Sequence, residues 1–92
     1  MSEKILHLTL LRKWFDEIVS GNKKEEYRDV KPYWDRRLLG KNYDKIYFKN
    51  GYGKNVPFMI VECKGIEKRN ETYVIILGKI LKLENYPKAL LN

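Results

Sequence analysis

The sequence predicts an α+β domain, a small mixed β-barrel with two short helices in the order β-α-β-α-β-β-β. Two features predict it. Apolar residues recur roughly every four positions over one early segment, whereas residues 44–83 are dominated by β-branched runs that read as strands. In a chain of 92 residues, strands of that length tend to curl and hide their edges by closing. The length suits one compact domain spanning 1–92.

Residues 3–9, EKILHLT, partly alternate and read as a first strand. Leu10, Trp14 and Ile18 then fall four apart, with Leu11, Phe15 and Val19 beside them. That spacing predicts a helix over 10–20 with one wide apolar stripe, which places Trp14 and Phe15 in the core. Arg12–Asp16 and Lys13–Glu17 pair opposite charges on its wet face. Gly21 is placed to end it. KKEEYRD (23–29) follows as a charged strand, where a period of two sets Lys24, Glu26 and Arg28 on one face and Lys23, Glu25 and Tyr27 on the other. Pro32 opens a second short helix carrying Trp34 and Leu38, and Gly40 closes it.

Beyond Gly40, DKIYFKN (44–50) alternates Ile46 and Phe48 against Lys45, Tyr47 and Lys49. NGYGK (50–54) is turn chemistry. Residues 56–66 and 72–83 form two long strands with a polar connector, KRNE (68–71), between them. Gly65 and Gly78 interrupt these runs as glycines do at bulges.

Charge narrows the function classes. Nineteen Lys and Arg against twelve Asp and Glu give a net +7, spread as +3 over residues 1–46 and +4 over residues 47–92. Any basic patch must therefore be assembled by folding, and such a surface favours polyanions. No apolar run approaches the ~20 residues of a membrane span, and the N-terminus lacks a signal-peptide pattern. With a single cysteine, Cys63, the chain is expected to be cytoplasmic and reduced, with no membrane partner. His7, the one histidine, has no Cys or carboxylate at zinc-ligand spacing, and Cys63 reads as a buried small side chain. No phosphate-binding glycine loop is present, so no metal or cofactor is expected.

The run WFDEIVSGNKKEEYR (14–28) resembles the signature of the ASCH domain, a PUA-like β-barrel family. Its helix is followed by a Gly-x-Lys element and a strand carrying Glu-x-Arg, here Gly21, Lys23, Glu26 and Arg28. A downstream Trp on a short helix, Gly40 and the later hydrophobic strands fit in order, so the resemblance covers nearly the whole chain. It implies a basic cleft beside the barrel that binds RNA or a nucleotide-like ligand. One branch of the family is an amidohydrolase acting on N4-acetylcytidine through a Lys, a Thr and a Glu. Lys23 matches the Lys and Glu62 the Glu, but Glu26 stands at the Thr position, where a hydroxyl nucleophile is required.

Chemistry agrees with the binding role. Arg28 offers a planar donor fork and Lys23 and Lys24 mobile point charges to phosphate or a base edge. Glu26 can orient Arg28 or accept from a base amino group. Tyr27, Tyr33 and Trp34 neighbour basic residues and can stack a base, Trp34 reading equally as a lid over the barrel beside Leu38, and Tyr47 and Tyr52 sit beside lysines or glycines on an adaptable edge. The alternatives are an enzyme, an amidohydrolase or ribonuclease using Lys23, Glu26 and Glu62, and a protein-interaction adaptor.

Overall fold

The computed structural model describes residues 3–87. Five strands and two helices follow in the order expected: β1 (Ile5–Thr9), α1 (Arg12–Val19), β2 (Glu25–Asp29), α2 (Pro32–Leu38), β3 (Lys45–Lys49), β4 (Phe58–Arg69) and β5 (Thr72–Glu84). The strands make one mixed sheet ordered β1-β3-β4-β5-β2. β1 runs parallel to β3, and every other pairing is antiparallel.

The sheet curls into a half-barrel. β1 and β2 remain its two edges. The curl is built into β4 and β5, whose register shifts at three places between Ile60 and Gly65, since each extra residue bends and twists the longer strand. The expected connector at 68–71 is shorter: β4 continues through Arg69, and Asn70, with φ of 56°, makes the turn. Asn tolerates that left-handed conformation better than most residues.

Alternation fixes which way each strand faces. Leu6 and Leu8 of β1 and Ile46 and Phe48 of β3 point into one core, with Met59, Val61, Tyr73 and Ile75. Phe15 and Ile18 of α1 and Leu38 of α2 belong to the same cluster, so both helices pack on the concave side. α2 begins at Pro32, whose fixed φ and missing N–H suit a first turn. The Tyr73 hydroxyl, rising from β5, donates to the Asp35 carboxylate and ties the helix to the sheet.

α1 starts later than the spacing predicts. Leu10 N–H donates to Lys49 O at 2.8 Å, which prolongs the β1–β3 ladder and keeps residues 10 and 11 out of the helix. Leu11 is consequently exposed. Of the two expected ion pairs on the wet face, Arg12–Asp16 forms at 2.9 Å. Lys13 instead lies over the Trp14 ring, 4.8 Å from its centroid.

Candidate nucleic-acid interface

The site lies where the two edge strands approach. The end of β1 (Thr9) and the concave face of β2 (Glu26 and Arg28) border one cleft of about 420 Å³. Register explains why charge occurs on an inward face. Glu26 pairs with Ile75, and Arg28 with Tyr73, and directly opposed side chains share a face. Ile75 and Tyr73 are core residues, so Glu26 is carried inward with them and is only 5% exposed.

A buried carboxylate needs partners, and Glu26 has two. Arg28 donates to Oε2, and Lys23 Nζ lies 3.2 Å from Oε1. Both cations are themselves largely covered, at 15% exposure of each side chain. Arg28 also donates to Tyr27 O at 2.7 Å and lies over the Trp34 ring, 5.1 Å from its centroid. Two cations against one acid leave the cleft one net positive charge.

The Lys23 position corrects the alternation expected from sequence. β2 begins at Glu25, so a period of two does not extend back to residue 23. Gly21, at φ +85°, turns the chain out of α1 in the left-handed conformation that favours glycine. Lys23 N–H then donates to Glu17 O at 3.0 Å. That turn delivers the Lys23 ammonium to the Glu26 side, between Tyr27 and Trp14 at 4.6 and 5.3 Å from the ring centroids. Lys24 goes elsewhere: its side chain is exposed and borders neighbouring grooves with Gly78 and Asn22, while its carbonyl accepts from Leu77 N–H.

Trp14 is the residue that sequence reasoning misplaced. It is 41% exposed and lines the cleft, whereas Phe15 is fully buried. At 100° per residue, Trp14 lies about 70° from the bisector of Phe15 and Ile18, at the margin of the stripe. In the wider stripe expected from sequence, bounded by Leu10 and Val19, Trp14 falls well inside, so this margin appears only once the helix starts at Arg12. Tyr27, on the opposite face of β2 from Glu26, is an exposed ring at the rim of the cleft whose hydroxyl donates to Glu25 at 2.8 Å. This bond, more than burial, pushes the phenol above its usual pKa and keeps the hydroxyl a donor.

Trp34 stands on the far side of Arg28. With Tyr33, His7, Arg37 and Tyr52 it borders a second hollow of about 390 Å³ that shares Thr9 and Arg28 with the first. In the sequence Arg37 stands out only as a basic neighbour of Trp34 and Thr9 not at all, because only the approach of α2 to the β1 edge gives them a place. Tyr47 instead stacks on Phe58 at 4.9 Å between centroids, and exposed His7 tilts against Tyr47. Cys63 is half-buried, and burial raises its thiol pKa.

Glu62 does not border the Lys23 cleft. Its carboxylate accepts Lys79 N–H at 2.9 Å in the irregular stretch between β4 and β5. The three side chains expected of a hydrolase, Lys23, Glu26 and Glu62, are therefore not assembled on one wall. Among the described residues, no group of three His, Cys, Asp or Glu side chains is arranged to hold a metal ion, and no helix is long and apolar enough to cross a membrane. No family model, curated protein or solved structure matches the chain.

Proposed function

We propose that the chain is an ASCH-like domain of PUA-like fold that binds RNA, seating an unpaired base in the cleft between β1 and β2. The observation that carries this reading is the buried Glu26 held between Lys23 and Arg28 beside two exposed rings, Trp14 and Tyr27. An apolar wall with two rings suits a base face, since aromatic stacking is tolerant of sequence. Arg28 and Lys23 supply donors for phosphate or a base edge. The carboxylate holds those donors in place and can itself accept from a base amino group. Binding, rather than hydrolysis, fits a site whose lysine is paired with an acid and whose Glu26 stands where the amidohydrolase branch carries its threonine.

Arg28→Lys tests the reading while leaving a cation on buried Glu26. Loss of the planar fork should weaken single-stranded RNA binding about tenfold in fluorescence anisotropy, equivalent to ~1.4 kcal/mol. Wild-type affinity in a folded Arg28→Lys variant, together with wild-type affinity in Trp14→Ala, would remove this cleft from RNA binding.

A further inference from the structure

The base cleft does not end at Arg28. Arg28 and Thr9 form the shared wall of the first hollow and the Trp34 hollow. Arg37 in turn is shared between the Trp34 hollow and a third of about 610 Å³, which also takes in Arg36, Lys41 and Lys4. Three hollows joined wall to wall make one path, from the β2 edge across α2 to the start of β1.

The path changes character along its length. Beyond Glu26 no carboxylate borders it, since neither the second nor the third hollow has an acidic lining residue. The acid of α2, Asp35, is turned inward to accept from buried Tyr73. Arg36 and Arg37 are left on the exposed side of the same helix. Among the described residues, Lys4, Arg36, Arg37 and Lys41 have no carboxylate within 4.0 Å of their charged nitrogens. None of the four is ion-paired, unlike Lys23 and Arg28, and the one carboxylate at the Lys4 end, Asp44, accepts from Lys4 backbone N–H at 2.8 Å.

The backbone under this cationic stretch is tied down. Tyr43 donates its hydroxyl to Arg37 O at 2.6 Å, Lys41 N–H donates to Leu38 O at 3.2 Å, and Asp44 N–H donates to Lys4 O at 2.8 Å. Exposed rings accompany the cations. Tyr33 packs edge-on against Trp34 with Arg37 4.8 Å from its centroid, and Tyr52 is 87% exposed.

We infer that the ligand is a single strand of several nucleotides rather than a nucleoside or a lone nucleotide. One base occupies the Trp14 cleft, and the chain then crosses Arg28 and runs along α2, its phosphates meeting Arg37, Arg36, Lys41 and Lys4. This rests on the proposed RNA binding and adds the length, path and strandedness of the ligand. Rings alternating with unpaired cations suit unstacked bases and a following backbone, at a scale of about 4–16 nucleotides for small single-strand modules. A duplex keeps its bases turned inward, where Tyr33 and Tyr52 cannot use them.

The test compares a nucleoside monophosphate, a single-stranded hexanucleotide and the same sequence as a duplex, on wild type and on the Arg36→Gln/Lys41→Gln variant. Glutamine keeps the long stem and helix propensity of these exposed residues, and circular dichroism checks the fold. The hexanucleotide should bind wild type at least about tenfold tighter than the monophosphate or the duplex. In the double variant, the slope of log affinity against log salt should become shallower by about 1.4, or ~0.7 per lost phosphate contact. Equal affinities for monophosphate and hexanucleotide in wild type would overturn the extended path and leave the base cleft standing. An unchanged slope in the variant would overturn the route along α2, and tighter duplex binding would overturn the strandedness. Absence of binding to all three probes would overturn the RNA reading itself.

Discussion

Lys23 Nζ lies 3.2 Å from Glu26 Oε1, and the same ammonium faces the rings of Tyr27 and Trp14. One side chain thus neutralises a buried acid and props two exposed rings, while Arg28 holds the other carboxylate oxygen. Stability and recognition draw on the same atoms here, so they must be separated by choosing substitutions that move one and spare the other.

Glu26→Ala removes the acid between two largely covered cations. Removing one partner of a buried ionic group typically costs about 3–5 kcal/mol. The midpoint of urea unfolding should fall with the slope preserved, because the surface exposed on unfolding scarcely changes. Replacing Lys23, Glu26 and Arg28 together by apolar residues of similar size should recover most of the loss, as isosteric replacements of buried ion pairs often do. A Glu26→Ala loss under ~1 kcal/mol would mean that the carboxylate is hydrated in solution.

Trp14 and Phe15 are neighbours in sequence with opposite expectations. Phe15 is fully buried, so Phe15→Ala should cost about 3–5 kcal/mol of stability. Trp14 is 41% exposed beside the cleft. Trp14→Ala should cost little stability but weaken RNA binding by about 1–3 kcal/mol, the contribution of one stacked base. Thermal melts and anisotropy on the two variants separate the roles, and a large stability loss with unchanged affinity in Trp14→Ala would return Trp14 to the core.

Tyr73 gives the hold on α2 a pH signature. Its hydrogen bond to Asp35, with burial and the Asp35 charge adding to it, pushes the phenol up to about 12 from its ordinary 10.0. A folded pKa above the unfolded one marks a protonated form that the fold prefers. Its contribution is complete below pH 10 and is lost as pH rises toward 12. Wild type should therefore lose melting temperature across that window, and Tyr73→Phe should show a flatter alkaline limb. Because the bond anchors the helix carrying Trp34 and Arg37, Tyr73→Phe should also weaken hexanucleotide binding at neutral pH. Identical alkaline limbs in the two proteins would show that the Tyr73–Asp35 bond does not form in solution.

Local periodicity made the element order and most of the core legible. Phe15 and Ile18 on one helical stripe, and Ile46 and Phe48 alternating in β3, are periodic over a few residues and need no distant partner to be read. The features that remained hidden depend on non-local pairing. Nothing near Glu26 announces that its register partner is core residue Ile75, and nothing in β1 announces the Leu10–Lys49 bond that delays α1. The G-x-K-x-x-E-x-R spacing brings Lys23, Glu26 and Arg28 within reach of one another, because one tight turn and one short strand join them. Arg37, Lys41 and Lys4 could not be grouped that way, since they come from α2, the loop after it and the stretch before β1.

Glu62 illustrates a sequence candidate whose place in the fold is structural. Leu77 pairs with Cys63 and Ile80 with Val61, so β5 carries one extra residue opposite Glu62. The Glu62 carboxylate fills that bulge and accepts Lys79 N–H, a bond that outweighs burial and holds its pKa below the usual carboxylate value. Gly78 leaves the room: a Cβ there would stand 2.7 Å from Glu62 Oε1 and 2.9 Å from Glu62 Cβ. The oxygen can swing aside, but the Cβ is fixed to the strand, so Gly78→Ala should cost about 1–3 kcal/mol, as overpacking does. Because the folded pKa of Glu62 is depressed, its contribution is present above the ordinary 4.5 and fades as pH falls below it. Glu62→Gln should therefore flatten the acid limb of the melting profile while leaving RNA affinity unchanged, and neither protein should release acetate from N4-acetylcytidine. Release of acetate by wild type and its loss in Glu62→Gln would instead make Glu62 a catalytic residue.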